Sequence, residues 1–514
     1  MGSTRVTRRA LLSAAGMAGA AGAAGALAGE LPAAHASPTL GADPFRVGVA
    51  SGDVTSEAVV LWTRLTTAPT EPGLGMDGQG VVPVQWRLAE SPEGLASPAT
   101  SLRVGVAAAR PEHCWSVHVD VRGLRPGRTY WYEFRLPGWS SGPARTRTAP
   151  ADSAASTADF AVVSCQNLAK PGSGRFHLNG VRDIAARDDL DFVLHLGDYI
   201  YDFGRAGHIP ARQISSLEDY RRRYGQYKSD PNLRAMHAAH PVFAVPDDHE
   251  FFDNVFGGDP DMEPEKRTQF AIALQAYWEN MPLRGGPPRT DPGTSIAHLR
   301  LHRQIRWGSS LELFLVDDRQ YRVPATTILG EEQMHWLLDG LASSGTTWTA
   351  VGSGVPLAWF PSFAGAGDKW TGYDTDRSAV TDVLAGRLAR RGEQAFNPVV
   401  VSGDVHRGMV THVRQRQDTA SALVATEFVG PPMTSNSGNR FSGTADTGAF
   451  RAEYSYGTAP VNSYRGYLAC SVTPESWTST FVVGDDVDTP EGVVAPIDTW
   501  MLAAGAEPGT VSRA

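Results

Sequence analysis

Four apolar runs in this chain each break off into a short cluster of residues able to bind a metal. Phe160-Ala161-Val162-Val163 leads into Ser164-Cys165-Gln166-Asn167, and Phe192-Val193-Leu194-His195-Leu196 into Gly197-Asp198-Tyr199-Ile200-Tyr201. Pro241-Val242-Phe243-Ala244-Val245 precedes Asp247-Asp248-His249-Glu250, and Pro398-Val399-Val400-Val401-Ser402 precedes Gly403-Asp404-Val405-His406. Runs so rich in Val, Phe and Leu suit strands covered on both faces. Ligands of open α/β sheets gather at the carboxyl ends of the strands. The pattern therefore predicts thiolate, phenolate, carboxylate and imidazole at one edge of one sheet, and the simplest use of that set is a metal site.

The first residues belong to a different task. Thr7-Arg8-Arg9-Ala10-Leu11-Leu12 is a twin-arginine pattern, followed by an Ala/Gly-rich apolar stretch to Gly29 and a small-x-small cleavage site at Ala34-His35-Ala36. Residues 1–36 read as a signal for the twin-arginine export machinery, which predicts a secreted, extracellular enzyme. A membrane anchor is the alternative, since a bilayer needs ~20 apolar residues. Ala and Gly are only weakly hydrophobic, and no later run is long enough to give the mature chain a transmembrane segment. A formal net charge of −9 argues against a nucleic-acid partner, which needs a basic face. Three cysteines, Cys114, Cys165 and Cys470, are too few for a disulfide scaffold. Cys114 and Cys470 read as buried small hydrophobes, with a disulfide between them as the alternative, whereas Cys165 ends a strand beside polar residues.

Composition divides the rest of the chain. From Phe45 to Thr148 short strands follow one another with turns between, with clear alternation in Ser116-Val117-His118-Val119-Asp120-Val121; this predicts an N-terminal β-sandwich over 37–150. Gly123 to Tyr132 resembles the turn and strand of fibronectin-III or immunoglobulin-like modules. After an Ala/Ser/Pro linker at 149–158, strands alternate with amphipathic segments, predicting an α/β (α+β) catalytic domain over 158–514. Helices are expected at 216–226, 263–279, 331–341 and 378–391, and strands at 311–316, 349–353, 423–429 and 466–472. Segments 371–374 and 430–439 read as loops near the site.

Donor chemistry sorts the candidates into two positions. Gly197 frees the backbone for a sharp turn, and the two oxygens of Asp198 can bridge two cations. Tyr201 can reach the same side of that turn, but a phenol with pKa near ~10 ligates as phenolate only beside a strongly acidic ion such as Fe³⁺. The structural alternative is that Asp198 caps a helix and Tyr201 packs in the core. The soft Cys165 thiolate suits Fe or Zn, so Cys165, Tyr201 and His406 together favour iron. An oxygen-only position built from Asp198, Asp248, Asp404 and either Asp253 or Asn254 favours Ca²⁺, Mn²⁺ or Mg²⁺. Like charges ~4 Å apart repel by several kcal/mol at moderate dielectric, so this many carboxylates calls for more than one cation. Paired cations can activate water and clamp phosphoryl oxygens, which predicts phosphoester hydrolysis.

The motifs together carry a family resemblance. Gly48-Val49-Ala50-Ser51-Gly52-Asp53, Val59-Val60-Leu61-Trp62-Thr63-Arg64, Ser164-Cys165-Gln166, His195 to Tyr201, Asp247 to Glu250, Asp318-Arg319-Gln320-Tyr321-Arg322 and Ser402 to His406 resemble the PhoD-type alkaline phosphatases. That branch of the calcineurin-like metallophosphoesterases is related to the purple acid phosphatases. The resemblance implies a β-sandwich followed by a four-layer αββα domain holding Fe³⁺ with one or two Ca²⁺. It assigns Cys165, Asp198, Tyr201 and His406 to iron, with Asp198 bridging, and Asp248 and Asp404 to calcium. His249 would sit beside the phosphate as charge stabiliser or leaving-group acid. Pro246 departs from the aromatic residue that relatives often carry there.

The reaction expected is attack at phosphorus by a metal-bound hydroxide, with His249, Asp198 and Asp248 as catalytic residues. Arg319 and Arg377 are candidates for a cation at the pocket rim or for surface salt bridges. The substrate expected is a small phosphoester, hydrolysed to scavenge phosphate. The alternative is a phospholipid, cleaved in phospholipase-D-like fashion, with Pro356-Leu357-Ala358-Trp359-Phe360 and Trp370 meeting lipid. A binding module with a purely structural metal is a third reading.

Overall fold

The computed structural model describes residues 40–172, 174–290, 297–359, 368–390, 396–418, 420–435, 454–455 and 464–514; the segment read as an export signal lies outside them. The four apolar runs are all strands: Ala158–Val163, Phe192–Leu196, Pro241–Val245 and Asn397–Ser402. The first three are parallel neighbours inside a ten-stranded sheet. The fourth lies in a separate seven-stranded sheet, between Trp348–Ser353 and Leu423–Val429. The expectation of one edge of one sheet is thus corrected to the adjoining ends of two.

Alternation along the strands explains how two sheets can share one site. Phe160, Val162, Leu194, Leu196, Phe243 and Val245 form one core with Leu311, Leu313, Leu315, Val399 and Val401 of the second sheet. Their neighbours Ala161, Val163, Val193, Val242 and Ala244 point the other way. They meet α1 (Asn179–Ala186), α2 (Leu217–Lys228), α3 (Pro231–Ala239) and α4 (Pro264–Asn280). On the far side Phe314, Val351 and Val400 are covered by α5 (Gly330–Ser343) and α6 (Asp374–Ala389). Strands with helices on one face and a second sheet on the other must be apolar at every position, as these are. Helix starts follow local chemistry: the Ser216 hydroxyl accepts from Asp219 N at 3.2 Å to cap α2. Asp230, just before Pro231, accepts from Asn232 N and Leu233 N at 3.0 and 3.2 Å to cap α3.

The N-terminal region differs from a self-contained sandwich. Val82–Ala89, Arg103–Ala109, Thr129–Leu136, Trp139–Ser140 and Ala144–Arg147 form a five-stranded sheet. Val49–Gly52, Ala58–Arg64 and Ser116–Arg122 instead continue the ten-stranded sheet, with Ser51 and Gly52 in parallel register with Pro241 and Val242. Ala58–Arg64 is buried at every position, the signature of a strand with both faces covered rather than one face wet. Val59, Leu61 and Val119 share a core with Val84, Leu88, Tyr130 and Phe134 of the five-stranded sheet. Two layers are therefore present, one of them continuous with the sheet that carries the site.

Candidate metal centre

The candidate donors sit on strained backbone. Cys165, Asp198, Asp404 and His406 have φ of 56°, 57°, 64° and 54°, in the left-handed region that costs a non-glycine residue about 1–3 kcal/mol. Gly197 precedes Asp198 with φ 97°, and a Cβ there would lie 2.3 Å from Asp247 Cβ, so only glycine lets the second and third strand ends approach. Backbone bonds hold the turns: Cys165 N donates to Gly197 O at 3.2 Å and Gln166 N to Asp198 O at 3.1 Å. Glu250, wholly buried, ties them further. Its Oε2 accepts from Asp198 N at 3.1 Å and Asp247 N at 2.9 Å, and its Oε1 accepts from Tyr199 N at 2.5 Å.

Within this frame one donor atom each of Cys165, Asp198 and His406 lies within 4.8 Å of the others. The Tyr201 hydroxyl completes the group, donating to Asp198 Oδ2 at 2.8 Å and standing 3.3 Å from His406 Nε2. Ser435 Oγ lies 2.6 Å from the same hydroxyl, on a segment whose Ser435 N donates to Cys165 O at 3.1 Å. A second convergence joins Asp198, Asp248 and His249, again with donor atoms within 4.8 Å. Asp198 belongs to both, and its Oδ1 is buried with no hydrogen-bond partner. A buried, unpaired carboxylate oxygen beside a thiol, a phenol and an imidazole fits a cation.

His249 is held on several sides. Its Nδ1 lies 2.7 Å from Asp202 Oδ1, and its ring rests 4.3 Å from the Tyr201 ring, centroid to centroid. Asp248 Oδ2 accepts from Asn254 N at 2.7 Å. Asp253 and Asn254 are themselves exposed, and the Asp253 carboxylate joins neither converging donor group among the described residues. Asn254 serves Asp248 through its backbone, with its amide nitrogen 3.2 Å from Asp253 Oδ2. Asp404 also stands outside both groups, and its Oδ2 is paired with the Lys369 ammonium.

Electrostatics reflects this crowding. Burial pushes the Asp198 carboxyl up to about 7, with Asp248 and Asp404 adding to the rise against the pull of His249. Burial first, then Asp198, raises the Cys165 thiol and the Tyr201 phenol well above their usual values. Burial and Asp198 together lift Glu250 to about 8. Burial opposes protonation of His249, yet Asp248, Asp198 and Asp202 outweigh it and raise its pKa well above the usual imidazole value. A cation among these groups reverses the balance, because thiolate, phenolate and carboxylate are the forms that bind it.

The profile of the family "PhoD-like phosphatase" matches residues 160–481, and that of "PhoD-like phosphatase, N-terminal domain" matches residues 31–150. The chain belongs to the PhoD-like phosphatase family. It is a phosphoric ester hydrolase. Alkaline phosphatase D of Bacillus subtilis is 33% identical over 498 residues, covering 90% of this chain and 81% of that protein. A solved PhoD structure superposes with a TM-score of 0.80 at 30% identity, over 93% of each chain. A purple acid phosphatase from yellow lupin seeds shares the fold, with a TM-score of 0.52 at 13% identity over 89% of this chain and 73% of the other.

Several residues of this PhoD-like phosphatase sit elsewhere than the sequence suggested. Arg319 is neither at a rim nor on the surface. It is fully buried, paired with Asp247, bonded through Nη1 to Asp368 at 2.6 Å, and 3.9 Å from Asp248. Arg377 is also fully buried, donating to Leu357 O at 3.0 Å and Arg414 O at 2.8 Å. Pro356, Leu357, Ala358 and Trp370 are buried, with Trp370 Nε1 donating to Ser353 Oγ at 3.1 Å, so these four are packing residues; Trp359 is half-buried and Phe360 lies outside the described residues. Cys114 and Cys470 are free buried thiols. Asp53 is structural: its Oδ2 accepts from Arg284 N at 2.6 Å, and its Oδ1 forms an ion pair with Arg303 Nε 2.8 Å away. Asp202, Glu250, Ser435 and Lys369 were not singled out. Asp202, one residue beyond Tyr201, Glu250, inside the Asp-Asp-His-Glu run, and Ser435, inside the 430–439 segment read as a loop near the site, carry a signal in sequence; Lys369 carries none.

Proposed function

We infer that this chain is a secreted alkaline phosphatase or phosphodiesterase that scavenges phosphate from small phosphoesters. The observation that carries the reading is the double convergence on Asp198: Cys165, Tyr201 and His406 on one side, Asp248 and His249 on the other. Cys165, Asp198, Tyr201 and His406 would hold Fe³⁺, and Asp198, Asp248 and Asp404 would hold Ca²⁺, with Asp253 and Asn254 reduced to supporting the loop. Bound there, the cations supply Lewis acidity toward phosphoryl oxygens and lower the pKa of water. The twin-arginine pattern in 7–12 supports export, and the name of the Bacillus subtilis relative supports work at alkaline pH.

The chain's own groups divide the remaining tasks. His249, cationic among Asp198, Asp202 and Asp248, is placed to protonate the leaving oxygen. Asp202 fixes the ring by accepting from Nδ1, leaving Nε2 for the substrate. Against its burial, His249 first and Arg319 second keep the Asp248 carboxyl ionised, and Arg319 also pairs with Asp247 and Asp368 beneath the site.

Metal analysis of the purified protein, joined to turnover of p-nitrophenyl phosphate, its bis-ester and phosphatidylcholine, tests the reading. Iron and calcium with hydrolysis of either nitrophenyl ester is expected, and Asp198→Ala should lose both metals and activity together. Retained metals and turnover in that variant would sink it. Headgroup release from phosphatidylcholine alone would favour the phospholipid alternative.

A further inference from the structure

Asp404 lies two residues beyond the strand Asn397–Ser402 and two before His406, and its backbone is held in the left-handed region. Its partner is a side chain, the Lys369 ammonium. Lys369 is buried, 6% exposed, although its charge would ordinarily seek water. It lies beside the acidic half of the site, its Nζ 3.7 Å from Asp368 Oδ2. Asp368 is itself bonded to Arg319 at 2.6 Å and to Arg322 at 2.8 Å, and Arg319 continues to Asp247. A cation is thus built into the wall at one of the two carboxylates, Asp248 and Asp404, that the two-cation reading gives wholly to the harder ion. An ammonium tethered to the chain and a divalent ion drawn to the same carboxylate repel each other and share its single negative charge, so each weakens the hold of the other.

We propose that Lys369 contends with the divalent cation for Asp404 and thereby sets how much of that ion the enzyme requires. This rests on the two-cation reading above. An ammonium on a carboxylate is a charge-assisted bond, and it must be broken or shared when Ca²⁺ binds. Removing the ammonium while keeping a polar side chain frees Asp404, so Lys369→Gln should bind Ca²⁺ more tightly by roughly tenfold. Lys369→Arg keeps the charge and should stay near wild type. The Gln effect should vanish when Asp404→Asn is added, because the contested carboxylate is gone.

The test is calorimetric titration of the iron-loaded full-length protein with CaCl₂, in wild type, Lys369→Gln, Lys369→Arg and the double variant, with iron content measured in the same samples. Tighter binding in Lys369→Gln alone supports the proposal. Equal or weaker binding in Lys369→Gln overturns it and leaves the two-cation reading standing. Calcium uptake by none of the proteins overturns both. Equal shifts in the Gln and Arg variants overturn it too, since they would trace the effect to packing rather than to charge. Iron content reports on the Cys165 position separately and does not enter the comparison.

Discussion

Replacing Glu250 by glutamine changes one atom and tests whether the turns, rather than the ligands alone, make the centre. The carboxylate accepts three backbone N–H groups, two at Oε2 and one at Oε1, with no exposure to water. A glutamine amide does best with its oxygen toward Asp198 N and Asp247 N, which turns its NH₂ against the N–H of Tyr199. Two buried donors then face each other, each costing about 1–3 kcal/mol, so the variant should lose about 2–6 kcal/mol. The penalty falls on the turns that aim Asp198 and Asp248, so metal affinity should fall as well. It should be largest with metals bound. Without them Glu250 rises to about 8, and at neutral pH the wild-type carboxyl already carries a proton in the same place. Thermal melting with and without chelator, alongside metal content, reads both effects. A Glu250→Gln protein that melts with wild type and keeps its full metal content would refute the reasoning.

Three further outcomes are expected. Asp202→Asn should keep its metals but lower kcat by roughly 10–100-fold, since His249 loses the anion that orients its Nδ1–H; unchanged kcat would remove Asp202 from the reaction. In chelator-treated protein Asp198 and Glu250 are raised to about 7 and about 8, so at these two carboxyls the folded state binds more protons than the unfolded one, against the opposite share of buried Lys228 and His195. The contribution of the two carboxyls should therefore fall as pH rises from the ordinary carboxylate range through 8, read as chelator-treated Asp198→Asn gaining melting temperature relative to chelator-treated wild type over that window; a constant difference would contradict the crowding. Lys228 is fully buried with no hydrogen-bond partner at Nζ, and burial pushes its pKa well below the usual value, although its Nζ also lies 4.6 Å from the Trp62 ring centroid. Lys228→Met should raise the melting temperature at pH 7, with the gain shrinking toward pH 10.5; a drop at pH 7 would mean that the aromatic faces hold the ammonium charged.

Much of this arrangement is legible in sequence because strand burial writes itself as uninterrupted apolar runs. The ligand clusters stand out by following them at once. Ala58–Arg64 carried the same signal, seven consecutive buried positions, yet the alternation of neighbouring Ser116–Arg122 suggested a sandwich. What periodicity does not reveal is which strands pair, and here Ser51 finds Pro241. Helices α2, α4, α5 and α6 follow their apolar faces closely. α1 and α3 are short, and α1 contains a glycine, so their patterns span barely two turns. Donor softness pointed to Cys165, Asp198, Tyr201 and His406, which do converge. It could not separate Asp253, whose side chain faces solvent, from Asp202, whose carboxylate meets His249, because both are single aspartates a few residues past a ligand.

The order of the ten-stranded sheet has a bearing on when the centre can form. The strands leading to Cys165, Asp198 and Asp248 are its middle members, flanked by Val49–Gly52 on one side and Arg465–Val472 on the other. A growing chain therefore holds the first flank in waiting until residue 242 has appeared, and the second flank is still absent when His406 emerges. Until then the strand ending at Cys165 has an open edge, an invitation to pair with other chains. Shortening the protein from either end would expose an edge next to a ligand-bearing strand. The ligand-bearing strands in mid-chain are thus closed in only by partners far from them in sequence, Ser51 against Pro241 on one side and Leu468 against Val162 on the other, contacts of the long-range kind that form slowly.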